Sequence, residues 1–192
     1  MALFTEKSLR DAANIVRKSE GFTRSANRIL LESAVASTGQ SFDIFLSHSF
    51  NDAELVLGLK NKLNEYGHSV YVDWIEDTQL DRSKVNRETA AVLRERMKCC
   101  RSLFYAVTSN SSSSKWMPWE CGFFDAHGGK VAICPITNTA ESSYAGQEYL
   151  GLYPYTVEEY DNGNRKRIYV EYSPTEYNTL EAWLKGESPY KR

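Results

Sequence analysis

What this 192-residue chain has little of excludes several classes of protein. Its four cysteines, Cys99, Cys100, Cys121 and Cys134, form no C-x-x-C pair, and its three histidines show no zinc-ligand spacing. Neither a disulfide framework nor a metal site is expected, and buried thiols are. No glycine-rich G-x-G-x-x-G fingerprint is present, which argues against a dinucleotide site of the hydride-transfer kind. No apolar run is long enough to span a bilayer. The opening MALFTEKSLRDAANIV places Glu6, Lys7, Arg10 and Asp11 where a signal peptide needs an apolar core, so a cytoplasmic location is the expectation. Excess charge is missing too: 23 basic against 25 acidic residues give a net charge of -2. That balance exerts no overall pull toward nucleic acid or an anionic membrane, and neither is expected as a partner.

What remains, 42% hydrophobic and 25% charged, can bury a full core, most simply as one domain with an appendage. Residues 1–39 read as an N-terminal helical extension: Leu9, Ala12, Ala13 and Val16 make a short apolar stripe, Gly21 breaks it, and Ser25 to Ala36 carries a second. Residues 40–192 are expected to form the main domain, with its core over 42–136. FDIFLSHS, SVYVDW, SLFYAVT and VAICPI, starting at Phe42, Ser69, Ser102 and Val131, are short apolar runs. Helical patterns separate them, one on Leu55, Leu59, Leu63 and Tyr66 ended by Gly67, another on Ala90, Leu93, Met97 and Cys100. Asn51, Asp52 and Glu54 resemble a capping arrangement ahead of the first. Short apolar strands alternating with helices predict an α/β fold whose parallel sheet is covered on both faces. Right-handed crossovers then put the loops after Ser47, Asp73, Thr108 and Ile136 at the carboxyl edge, where such sheets bind ligands. Over 153–186, Tyr155 to Tyr160 and Arg165 to Tyr172 flank Asp161-Asn162-Gly163-Asn164, a hairpin signal, and Ser173-Pro174-Thr175-Glu176 opens a final helix with a capping-box pattern.

Function is expected to turn on Ser114 to Ile136. Pro118 fits only near a helix start, and Ser111 to Ser114 offers N-cap candidates, so Glu120 falls in or just beyond the first turn, near the carboxyl edge. At helical spacing Trp116, Glu120, Phe123 and His127 share a face, which predicts a carboxylate between aromatic surfaces. An acid at such a position also serves simply to complement the helix dipole. Ser47, His48 and Ser49, with Phe50 and Asn51, link the first strand to a helix N-terminus, where backbone N–H groups face an anion. Asp73 and Trp74 end the second strand at the same edge, Asp73 as a hydroxyl ligand or a loop anchor.

In order and spacing, FDIFLSHS, SVYVDW with its long loop, SSKWMPWE and VAICPI resemble the Toll/interleukin-1 receptor (TIR) domain, most informatively through the Trp-x-x-x-Glu element from Trp116 to Glu120. The match covers Phe42 to Ile136; the N-terminal helices and the Tyr-rich hairpin depart from the usual plan. A free-standing chain with a leading helical segment is similar, more narrowly, to the TIR subunits of bacterial Thoeris anti-phage defence. The resemblance implies a flavodoxin-like parallel sheet flanked by helices, between the helical extension and a C-terminal β-hairpin plus helix. It implies NAD as substrate, with no cofactor, and Glu120 as the catalytic residue. Ser47, His48, Ser49, Asp73, Trp74 and Trp116 are the substrate-binding candidates. It further implies a cyclic ADP-ribose-type signal, a phage-derived trigger, a separate NAD-consuming effector that reads the signal, and a homo-oligomer in which a neighbouring chain completes the site.

Cleaving NAD needs only one carboxylate. Ordinary sugar hydrolysis protonates a leaving oxygen, whereas nicotinamide departs as a neutral molecule, having already carried the positive charge. An oxocarbenium-like ribosyl centre remains for Glu120 to stabilise, with Trp116 or Trp74 walling the site from water. Capture by water gives ADP-ribose and capture by part of the bound nucleotide gives a cyclic product; the sequence leaves both open. Two other classes stay in view. A non-enzymatic TIR interaction module would use the loop Ile75 to Asn86 and tolerate loss of Glu120. An enzyme like the nucleoside deoxyribosyltransferases would exchange bases on nucleosides and ignore NAD. The Trp116 and Glu120 element favours the NAD-cleaving enzyme over both.

Overall fold

Apolar residues alternate onto both faces of the central strands, so helices must cover both. The computed structural model describes residues 2–19, 24–36, 40–72, 87–141, 143–144 and 148–191. β1 (Phe4–Thr5) leads into α1 (Glu6–Ser19) and α2 (Ala26–Ala36). The alternation follows: β2 (Phe42–Ser47), α3 (Ala53–Glu65), β3 (Val70–Val72), α4 (Arg87–Lys98), β4 (Cys100–Val107), α5 (Met117–Gly128) and β5 (Val131–Thr137). The chain ends with β6 (Tyr155–Tyr160), β7 (Lys166–Ser173), β8 (Glu176–Thr179), α6 (Leu180–Leu184) and β9 (Tyr190–Lys191).

The sheet runs β3-β2-β4-β5-β6-β7-β8-β9. It is parallel through β6 and antiparallel beyond. The parallel part is the expected flavodoxin-like order, with its topological switch point between β2 and β4. Ile44, Leu46, Phe104 and Cys134 face one core with Leu9, Leu30 and Leu59 from α1, α2 and α3. Phe45, Leu103, Tyr105 and Ile133 face the other with Leu93 of α4 and Met117, Cys121 and Phe124 of α5.

The N-terminal segment enters the sheet itself. β6 pairs with β5 at Ile133 and Tyr155, and farther along β5 its place is taken by β1, with Phe4 opposite Ile136 and Thr5 opposite Thr137. Ala2 then bridges to Glu158. A two-residue strand carries no readable period, which is why the sequence shows helices there and no strand. α1 lies so close to α3 that a Cβ on Gly58 would sit 1.9 Å from the Leu9 carbonyl oxygen. Backbone cannot yield as a side chain does, so Gly58→Ala is expected to cost about 1–3 kcal/mol despite its better helix propensity. A thermal melt should show this as a drop of about 2–4 °C per kcal/mol.

The hairpin forms as expected, closed by Asn164 N–H donating to Asp161 O at 2.9 Å with Asn164 at φ 57°. Two expectations are corrected. Cys100 opens β4 instead of continuing α4. The capping-box pattern at Ser173 does not start a helix: Glu176–Thr179 adds an antiparallel strand to β7, and α6 starts only after Thr179, whose hydroxyl accepts the Ala182 N–H. Pairing of Tyr177 and Thr179 with β7 satisfies more backbone than a helix turn begun at Pro174 would.

Glu171 on β7 is fully buried opposite Tyr155, and burial pushes its carboxyl group up, partly offset by the Tyr155 hydroxyl. With a folded-state pKa above the unfolded one, the native state binds more protons, and stability falls as pH rises from the ordinary carboxylate range through the raised value. Glu171→Gln should therefore raise the melting temperature more at pH 7.5 than at pH 4, as calorimetry at the two pH values can check.

Candidate active site

Along α5 the buried positions are Met117, Glu120, Cys121 and Phe124, the i, i+3, i+4 and i+7 pattern of one face. Glu120 is thereby turned inward against the sheet and left 1% exposed. Ser47, the last residue of β2, meets it there, its hydroxyl donating to Glu120 Oε2 at 2.6 Å. That length is typical of a hydroxyl on a carboxylate, and it fixes the carboxylate's orientation.

The aromatics expected to flank Glu120 pack on one another. Trp119, Phe123 and His127, at i, i+4 and i+8, stack in a ladder with ring centroids 5.9 and 5.8 Å apart. One residue corresponds to about 100° around a helix, so this ladder lies on a neighbouring flank while Glu120 faces the sheet. Trp116 is buried and meets Trp119 edge-on at 5.5 Å. Its carbonyl accepts the Glu120 N–H at 2.8 Å, which places the two residues one turn apart as their spacing implies. Trp116 itself occupies the N-cap position, and the Ser114 hydroxyl accepts the Met117 N–H at 3.3 Å.

On the other side of the switch point, Ser47, His48 and Ser49 are all buried. His48 Nδ1 lies 2.8 Å from Leu46 O; a carbonyl only accepts, so Nδ1 carries the proton. Ser49 Oγ accepts the Asn51 N–H at 3.4 Å. Asp52, read from the sequence as part of a helix cap, makes no side-chain cap bond. Its buried carboxylate instead accepts from Thr108 Oγ1 and Asn110 Nδ2, each at 2.6 Å. Asp52 thus ties the loop leaving β2, next to Ser47, to the loop leaving β4 that leads to Glu120.

Tyr105 escaped the sequence reading. It is the register partner of Ser47, and burial pushes its hydroxyl up, with a hydrogen bond to Tyr149 and the nearby Glu120 charge adding to the effect. A tyrosine inside a buried strand needs a partner for its polar tip, and that was the available signal. The cysteines near the site are not poised as nucleophiles: burial pushes the Cys121 thiol up to about 11 and the Cys134 thiol to about 12. Asp73, Trp74 and the loop Ile75 to Asn86 lie outside the described residues. Among the described residues no group of three or more His, Cys, Asp or Glu is placed to hold a metal ion, and no helix is long and apolar enough to cross a membrane.

No protein-family profile matches the chain. It is 48% identical over 190 residues, 96% of its length and 98% of the relative's, to a protein of Bacillus cereus (strain MSX-D12) described as "Probable 3' cyclic ADP-D-ribose synthase ThsB'". It is also 29% identical over 112 residues to "Putative cyclic ADP-D-ribose synthase TIR2" of Cytobacillus dafuensis, a match covering 58% of this chain and 30% of that protein.

Proposed function

The chain belongs to the ThsB' family of TIR-domain proteins, and from that premise we propose that it cleaves NAD between nicotinamide and ribose and closes the remaining ADP-ribose into a cyclic signal. Within the chain, one observation carries this reading: a buried carboxylate, Glu120, fixed by Ser47 at the switch point of a parallel sheet.

In the proposed reaction the bond from the anomeric carbon to the nicotinamide nitrogen breaks, and its electron pair stays with the nitrogen. Nicotinamide leaves neutral and the positive charge passes to the ribosyl centre, where the Glu120 carboxylate stabilises it. A nucleophile within the bound nucleotide then bonds to that centre and gives up a proton, closing the ring in the 3' cyclic isomer for which the Bacillus relative is described. Water in its place would yield ADP-ribose. Trp116, and Trp74 at the end of the second predicted strand, are assigned to keep water out. His48, Ser49 and Asp73 are assigned to the substrate's ribose and neighbouring groups, and Ser47 holds Glu120. Because Glu120 is 1% exposed, the groups covering it shift when the anomeric carbon approaches.

The same reading places the chain in the cytoplasm, silent until a phage-derived trigger acts, coupled to a separate NAD-consuming effector through the nucleotide and completed by a neighbouring copy. Incubation of the purified chain with NAD and an extract of phage-infected cells to supply the trigger, followed by chromatography and mass spectrometry, tests the chemistry. A product lighter than ADP-ribose by one water is expected. ADP-ribose alone would make the chain a hydrolase, and untouched NAD with base exchange on nucleosides would make it a transferase.

A further inference from the structure

Beside the first turns of α4 and α5 lies a groove of ≈ 870 Å³ lined by Arg87, Arg94, Lys115, Trp116 and Trp119, among others. The Arg94 guanidinium rests over the Trp119 ring, 5.2 Å from its centroid. Among the described residues, none of Arg87, Arg94 and Lys115 is ion-paired with a carboxylate. Elsewhere on α4, Lys98 does pair with Glu95 at 2.8 Å. Three cations around one concavity, none ion-paired among the described residues, in a chain of net charge -2, make a local anion site.

We propose that this groove holds the diphosphate of the dinucleotide substrate, with Arg87 and Lys115 bonding its oxygens and Arg94 held beside them on Trp119. The proposal rests on the reading of the chain as an NAD-cleaving enzyme. Trp116 connects the groove to the chemistry: it lines the groove, and its carbonyl accepts the Glu120 N–H, so four residues of helix, about 6 Å, separate the two along the axis. In the dinucleotide a single ribose likewise separates the diphosphate from the carbon that reacts. Arginine forks and a lysine ammonium are the usual partners of phosphate oxygens. The turn after β2 offers less to an anion. Its Asn51 N–H is bonded to Ser49 Oγ, its Asp52 N–H to Ser49 O, and the Asp52 carboxylate behind them repels phosphate.

Arg87 and Lys115 are both exposed, so Arg87→Gln/Lys115→Gln in the full chain should fold. Its KM for NAD is expected to rise about tenfold or more with kcat within about twofold of the parent, and added salt should raise the parent's KM more than the variant's. Calorimetric titration of ADP-ribose into the Glu120→Gln chain should show affinity falling by a similar factor when the two substitutions are added. Lys98→Gln/Lys185→Gln removes the same charge outside the groove and should move neither value. An unchanged KM with unchanged ADP-ribose affinity, or a fall in kcat with KM unchanged, overturns the groove assignment while NAD turnover persists. Absence of NAD turnover in the parent chain supplied with infected-cell extract overturns the enzymatic reading instead, and the ADP-ribose titration still decides the groove.

Discussion

Glu120→Gln is expected to lower turnover of NAD by about a hundredfold to a thousandfold, the usual cost of removing one electrostatic stabiliser from a water-excluded site. The substitution preserves volume, and the amide oxygen can still accept the Ser47 hydroxyl that now bonds Oε2 at 2.6 Å. What disappears is the negative charge proposed to face the ribosyl centre. Melting temperature and far-ultraviolet circular dichroism should change little while kcat falls. Glu120→Asp keeps the charge but withdraws it from Ser47 by one carbon–carbon bond, and intermediate activity is expected. Turnover close to the parent's in the Gln variant would reduce Glu120 to a complement of the helix dipole.

Asp52→Ala is expected to lower both stability and activity. It strips Thr108 Oγ1 and Asn110 Nδ2 of their 2.6 Å acceptors and frees the β2 and β4 loops from each other. Stability should fall by about 1.5–3 kcal/mol, the cost of losing hydrogen bonds to a buried charged group. Assayed well below the melting point, kcat/KM should fall about tenfold to a hundredfold, because the loop before α5 positions Glu120 against Ser47. Asp161→Ala is the matched control. Asp161 sits in the hairpin, where Arg167, with backbone N–H groups of Arg165 and Gly163, pulls its carboxyl down to about 2. Losing it should leave turnover at the parent's level. Equal losses of activity in both variants would show that Asp52 acts through stability alone.

The parts of this molecule legible in the sequence are those governed by period and by chain-local chemistry. FDIFLSHS and VAICPI gave strands because both faces of each are apolar, and Leu55, Leu59 and Leu63 gave α3 because they share one face. The single turn from Trp116 to Glu120 followed from helical spacing. What stayed hidden depends on partners distant in sequence. The 2.6 Å contact from Ser47 to Glu120 spans 73 residues, and whether Glu120 faces Phe123 or the sheet is decided by which flank of α5 packs on β4. Asp52 looked like a cap since its local context is that of a cap; its acceptors were claimed from across the switch point by Thr108 and Asn110. Tyr105 became part of the site only through its register with Ser47. Arg87 and Lys115 were unremarkable surface cations until α4 and α5 brought them to one groove.

Whether Glu120 makes a cyclic nucleotide from NAD is read in the nucleotide content of cells expressing this chain or its Glu120→Gln form, by chromatography and mass spectrometry, with and without phage challenge. A species with the mass of cyclic ADP-ribose is expected to appear on challenge and to be absent from the Gln variant. A challenged cell in which the folded Gln variant still protects, with the same nucleotide profile as the parent, would contradict it.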